Sequence, residues 1–184
     1  LSENRFFTIS NLLSISRAVL AIPFALVMLS DSPNATQWGI AILAIAALTD
    51  KFDGVLARKY DEVTEWGKIL DPVADKIGIA VVALVLVQLH LLPLWFVVAM
   101  VARDVLILAG GLYVKKKKGV VLQSNQLGKW TIGLLALTMF FAMVRWSVAA
   151  ETFLWGSAAM LAISLALYLQ RFIQTLAPKN RVIM

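Results

Sequence analysis

Four aspartates in one short stretch have the type and spacing that metal-assisted phosphate chemistry requires. They lie in Asp50-Lys51-Phe52-Asp53-Gly54-Val55-Leu56-Ala57-Arg58 and, eight residues later, in Gly67-Lys68-Ile69-Leu70-Asp71-Pro72-Val73-Ala74-Asp75-Lys76. Asp50 and Asp53 are three apart, and Asp71 and Asp75 are four apart, so each pair projects from one face of a helix. Gly54 and Ala57 continue the first face and Gly67 lies one turn before Asp71, small residues that let backbones or a bulky ligand approach. Four carboxylates in a small volume repel, and some would take up protons unless cations compensated. The chain has no cysteine and a single histidine, His90, so thiolate sites and histidine clusters are excluded and any metal must be held by oxygen. Two Mg²⁺ or Mn²⁺ ions suit such donors and would clamp a diphosphate. A plainer reading pairs the aspartates with Lys51, Arg58, Lys68 and Lys76 in a solvated loop. It leaves two helical-face pairs flanked by small residues unexplained.

The elements that must position these groups are apolar. Of 184 residues, 60% are hydrophobic and only 15% charged, with a mean hydropathy of +0.82, well below the charge content of a soluble domain. The expected fold is an all-α integral membrane protein, one polytopic domain over 1–184, with six transmembrane helices at about 12–30, 36–57, 69–89, 93–114, 128–147 and 152–173. Lys and Arg are absent from the connections near 30–34, 90–93 and 147–151. Arg5, the Lys51 to Lys68 region, the run Lys115 to Lys118, Lys129 and the basic tail gather on the opposite side, which places both termini and the acidic site in the cytoplasm of an inner-membrane protein. Only Arg145 sits toward the external end. Segment 1–11 mixes polar and bulky apolar residues, as an amphipathic interfacial helix does. The first apolar run has no convincing small-residue cleavage site and is read as mature structure rather than a signal peptide. A net charge of +6 is spread between apolar spans rather than over an aromatic-interleaved surface, so membrane topology explains it and nucleic acid is not an expected partner.

The stretch from Asp50 to Asp75 resembles the signature of the CDP-alcohol phosphotransferases: Asp, two residues, Asp-Gly, two residues, Ala-Arg, eight residues, Gly, three residues, Asp, three residues, Asp. All eight fixed positions are filled over 26 residues. The resemblance implies that Asp50, Asp53 and Asp71 are metal ligands, and that Asp75 joins the metal site and is the general base on the acceptor hydroxyl. Gly54, Ala57, Arg58 and Gly67 would form the nucleotide site. The implied activity is metal-dependent transfer of a phosphatidyl group from CDP-diacylglycerol to an alcohol with release of CMP, in a protein that pairs as a homodimer in its lipid membrane.

Asn11, Ser14 and Arg17 open the first span in a pattern similar to many bacterial phospholipid synthases of this family. Asn11 and Ser14 also suit a helix cap, whereas Arg17 inside an apolar run points to a phosphate or carboxylate partner. Arg103-Asp104 in span four reads either as a structural ion pair or as a guanidinium for an acceptor phosphate. Lys129 either marks the membrane interface or meets phosphate. His90, Trp95, Trp146 and Trp155 read as interfacial anchors. The span-one pattern and Asp71 to Lys76 are similar to the phosphatidylglycerophosphate synthase branch, which ranks glycerol 3-phosphate first as acceptor. Arg103-Asp104 is also similar to cardiolipin synthases of this fold, which use phosphatidylglycerol, and inositol phosphate is a further alternative. A cation-coupled transporter with buried acids is the distant reading, disfavoured because all four acids crowd into one segment.

Overall fold

A chain that buries backbone polar groups in hydrocarbon must satisfy them within each segment, and helices do this. The computed structural model describes residues 9–60, 67–119 and 126–176; side chains at 9–14, 50–73, 126, 127 and 129 lie outside that description. Among the described residues the chain is all helical: α1 (Ile9–Met28), α2 (Ala35–Tyr60), α3 (Gly67–Gln88), α4 (Leu94–Lys118), α5 (Gln126–Met143) and α6 (Ser147–Leu176). Residues 1–8 of the expected interfacial segment lie outside the described residues, and Ile9 to Asn11 are the first turn of α1.

Two of these helices, α4 with 25 residues and α6 with 30, are long and apolar enough to cross a bilayer, while Ile15–Met28, Ala35–Thr49 and Trp130–Met143 are shorter apolar stretches. The surfaces agree with hydrocarbon as solvent. Leu26 is 68% exposed and Val148 72%, and α4 presents Val98, Val101, Val105, Leu108 and Leu112 outward along its length. Water would penalise so continuous an apolar face.

The chain divides into two compact units, Leu1–Leu91 and Leu92–Met184. In the first, α1 packs along both α2 and α3. Its core is Ala21, Phe24 and Met28 from α1 with Ala74, Val82, Ala83, Val85 and Leu86 from α3. At Gly39 of α2 an added Cβ would meet the Met28 sulfur at 2.5 Å, so glycine there is what lets α2 close on α1. In the second unit α6 packs against both α4 and α5. Phe96, Val97, Met100 and Val114 of α4, Leu135, Met139, Ala142 and Met143 of α5, and Leu154 and Leu161 of α6 fill that core. Thr138 and Ser157, both fully buried, join α5 to α6 with hydroxyl oxygens 2.8 Å apart. Thr138 spends its proton on the Leu134 carbonyl at 2.9 Å, so Ser157 is the donor between them.

Helix ends are closed by the chain's own backbone. After α3, His90 adopts φ 57°, its N–H bonds the Val87 carbonyl, and the Leu91 N–H reaches the Leu86 carbonyl at 2.8 Å. After α5, Arg145 adopts φ 58° and the same two bonds recur, from Arg145 to Ala142 and from Trp146 to Phe141. Both are Schellman closures, and the Phe141 and Trp146 rings, 5.5 Å apart, supply the apolar contact that accompanies the second. Gly119, at φ 68°, ends α4 with a bond to the Lys115 carbonyl, and the four lysines of the last turn oppose the negative end of the helix dipole. Trp95 and Trp155 pair within the second unit, with ring centroids 5.8 Å apart.

A left-handed backbone costs a side chain with a Cβ about 1 to 2 kcal/mol, and a β-branched one most. Arg145→Val is therefore expected to unfold at a lower temperature than Arg145→Gly in detergent. A Val variant as stable as the Gly variant contradicts the backbone strain assigned to this turn.

Candidate functional site

The acidic stretch is helical on both sides of its connection. The second half of α2 carries Asp50, Asp53, Gly54, Ala57 and Arg58, and α3 opens at Gly67 and carries Asp71 and Asp75 over its next turns. Helical spacing puts Asp50 and Asp53 on one face of α2, and Asp71 and Asp75 on one face of α3. The side chains of Asp50, Asp53, Arg58 and Asp71 lie outside the described residues, as do those of Asn11 and Lys129, whose backbones belong to α1 and α5. What the structure does establish is that both acid-bearing helices pack on α1.

From α1, Arg17 reaches α3. One guanidinium nitrogen of Arg17 donates to Oδ1 of Asp75 in an ion pair that joins the two helices. The two partners differ in burial: the Arg17 side chain is 9% exposed and that of Asp75 44%. Ala74, beside Asp75, is buried in the α1–α3 core, which fixes the turn from which the carboxylate projects. Of the two partners expected for Arg17, the structure shows the carboxylate.

Arg103 lies at a second polar site, in the other unit. Its Nη1 donates to Asp104 at 2.8 Å and its Nη2 to the hydroxyl of Ser164 on α6. The Arg103 side chain is 14% exposed, and its buried Nε has no hydrogen-bond partner among the described residues. One turn further on, Tyr168 of α6 donates its hydroxyl to the Ile107 carbonyl of α4 at 2.8 Å. Gly110 makes room for that ring, since a Cβ there would lie 2.9 Å from the Tyr168 oxygen. Ser164 and Tyr168 were not singled out from the sequence. Their signal was present in the spacing of Ser157, Leu161, Ser164 and Tyr168, a single stripe of α6 at intervals of four, three and four.

The donor chemistry on α2 and α3 fits a hard divalent cation. Every candidate ligand is a carboxylate, and the one whose side chain is described already sits against a positive group, Arg17. Among the described residues no group of three or more His, Cys, Asp or Glu forms a rival site.

Fold and site thus define a helical membrane protein with paired carboxylates on two helices that share a common packing partner. The chain belongs to the CDP-alcohol phosphatidyltransferase family, whose model matches residues 7–169. It is 33% identical over 135 residues to the Bacillus subtilis protein named CDP-diacylglycerol--glycerol-3-phosphate 3-phosphatidyltransferase, covering 67% of this chain and 69% of that one. A Salmonella typhimurium protein of the same name is 40% identical over 106 residues, 56% of this chain and 58% of its own. A Streptomyces coelicolor protein named cardiolipin synthase (CMP-forming) is 31% identical over 109 residues, 57% of this chain and 50% of its own. The chain spans little more than half the length of several curated relatives it matches, 56% for one from Mycobacterium tuberculosis.

Ser164→Ala removes the α6 acceptor of a buried guanidinium. Hydrogen bonds within membranes contribute about 1 kcal/mol, so the melting temperature is expected to fall by a few degrees in detergent with helicity unchanged. An unshifted melting temperature contradicts the importance assigned to this contact.

Proposed function

We propose that the chain transfers a phosphatidyl group from CDP-diacylglycerol to an alcohol and releases CMP, with glycerol 3-phosphate as the acceptor. The observation that carries this reading is the complete eight-position pattern from Asp50 to Asp75, borne on α2 and α3 within a family match that runs through both compact units. That match also supports treating 1–184 as one functional domain. The first-ranked acceptor draws on the Bacillus and Salmonella relatives, whose names specify glycerol 3-phosphate. Phosphatidylglycerol is the second candidate, favoured by Arg103-Asp104 and by the likeness to a cardiolipin synthase.

In this reading Asp50, Asp53, Asp71 and Asp75 hold two divalent ions, Mg²⁺ or Mn²⁺, which when bound neutralise charge on the diphosphate. Gly54, Ala57 and Gly67, lacking bulk, leave room for the cytidine, and Arg58 meets phosphate. Asp75 accepts the proton of the acceptor hydroxyl as its oxygen attacks the phosphatidyl phosphorus. The new P–O bond forms as the bond to CMP breaks, and CMP leaves carrying the electron pair. No residue need become covalently attached to substrate, in keeping with a chain that has no cysteine and one histidine. Arg103 has a donor to spare in its buried Nε and is assigned, with Lys129 and Asn11, to phosphate groups. Six spans, cytoplasmic termini, an inner-membrane location with the site facing the cytoplasm, and homodimer formation complete the proposal. The charge asymmetry of the connections supports the orientation.

Purified protein given labelled CDP-diacylglycerol and Mg²⁺ or Mn²⁺ is expected to release CMP with glycerol 3-phosphate and to stop when EDTA is added. Asp75→Asn should lower turnover by about a thousandfold, as loss of a general base does. Turnover with phosphatidylglycerol alone would replace the first-ranked acceptor, and no CMP release with glycerol 3-phosphate, phosphatidylglycerol, inositol phosphate or serine would refute the transferase reading.

A further inference from the structure

The outward face of α4 runs straight from apolar side chains into lysine. Val98, Val101, Val105, Leu108 and Leu112 recur at intervals of three and four and all are exposed, so they form one stripe along the helix. The same intervals carry the stripe from Leu112 onto Lys115 and Lys116, both exposed. The other two lysines of that turn lie elsewhere. Lys117 sits over the Tyr113 ring, its Nζ 5.6 Å from the centroid and 3.4 Å from the hydroxyl oxygen, and Lys118 follows the fully buried Val114 by one turn. No carboxylate among the described residues pairs with any of the four. From Val101 to Leu112 the stripe rises about 16 Å at 1.5 Å per residue, close to half of a ~30 Å hydrocarbon core.

An exposed apolar strip one leaflet deep that ends on two ammonium groups has the same order of parts as an anionic phospholipid. We propose that the stripe from Val98 to Leu112, with Lys115 and Lys116, is a binding surface for one such lipid, its acyl chain lying along α4 and its phosphate meeting the two Nζ groups. Charge selects the head, because a zwitterionic head carries an ammonium of its own that the lysines repel, whereas an uncompensated phosphate is attracted. The apolar part selects the source: free phosphate gains nothing from Leu108 or Leu112, and its attraction to exposed lysines is screened by salt. A second copy of this chain fits the stripe poorly. Docked on the same face about an axis normal to the membrane, it would bring its own Lys115 and Lys116 against these two, like charge against like. Binding here needs nothing from the acidic residues of α2 and α3.

The chain has no cysteine, so Leu108→Cys provides a single labelling point in the stripe. The full chain, labelled there with a bimane fluorophore and placed in phosphatidylcholine vesicles, is quenched with nitroxide-chain phosphatidic acid or nitroxide-chain phosphatidylcholine. Phosphatidic acid is expected to quench at about fivefold lower mole fraction, the scale of a lysine near an anionic head, and the preference should fade in high salt. Lys115→Gln with Lys116→Gln should bring the two lipids to parity, Lys117→Gln with Lys118→Gln should leave most of the preference, and Lys115→Arg with Lys116→Arg should keep it. Should the first pair fail to insert, Lys116→Gln alone is expected to lower the preference to about twofold. Equal quenching of the labelled parent by both lipids overturns the proposal, as does an equal loss from either lysine pair, which would make the run a general positive end and not a site. Quenching by neither lipid shows the face covered by protein, a second copy included, and a preference abolished by inorganic phosphate at matched ionic strength shows a site for the free anion; each result also overturns it.

Discussion

Charge inside hydrocarbon must be compensated where it stands, because no water is at hand to do it. This constraint organises both units of the chain. In the first it brings Arg17 of α1 to Asp75 of α3, and so makes the helix that packs on α2 and α3 an electrostatic partner as well as an apolar one. In the second it brings Arg103 to Asp104 on its own helix and to Ser164 on α6. A structural pair alone would be well served by two equally buried groups. The pair at Asp75 is uneven, with the Arg17 side chain 9% exposed and that of Asp75 44%.

Cohesion between helices in lipid cannot rely on expelling water, since the tails outside are as apolar as the side chains inside. Close approach and interhelical hydrogen bonds have to supply it, and the second unit shows both. Ser157 and Thr138 bond α6 to α5, Tyr168 bonds α6 to α4, and Gly110 permits the Tyr168 ring to come close enough to do so. The stripe on α6 that carries Ser157, Leu161, Ser164 and Tyr168 is therefore a seam, with small polar groups at the points of contact and leucine between them. Gly39 against Met28 does the corresponding work between α1 and α2.

How much of this was legible in the sequence follows from which interactions are local. The acidic pairs were legible because spacing of three and four has meaning only on a helix, and both stretches are helical. The apolar limits fell short at this point, since α2 continues to Tyr60, beyond the expected 57, and α3 begins at Gly67 rather than 69. Hydropathy marks where a helix meets lipid, whereas backbone hydrogen bonding carries the helix on through the charged turns that leave it. Arg17 could be flagged from one sequence as a charge in an apolar run, with its partner left as phosphate or carboxylate. Ser164 as the partner of Arg103 could not be found, because pairing across 61 residues is decided by which faces of α4 and α6 meet. The division after Leu91 was equally hidden, since the apolar pattern continues across it.

The positive-φ residues carry the same lesson at the scale of a single turn. A helix end commonly announces itself by glycine, and Gly119 at the end of α4 does so. The ends of α3 and α5 use His90 and Arg145 instead, which cannot adopt that conformation without cost. What fixes them is the pair of backbone bonds on each turn and, after α5, the Trp146 ring packed edge-on against Phe141. The polar side chains at both corners are exposed. The chain thus accepts local backbone strain to hold a polar residue at a boundary where glycine would contribute none. The polar character of these corners and the ion pairs of Arg17 and Arg103 answer one requirement, that charge be given either an opposite charge within the helices or an exposed position.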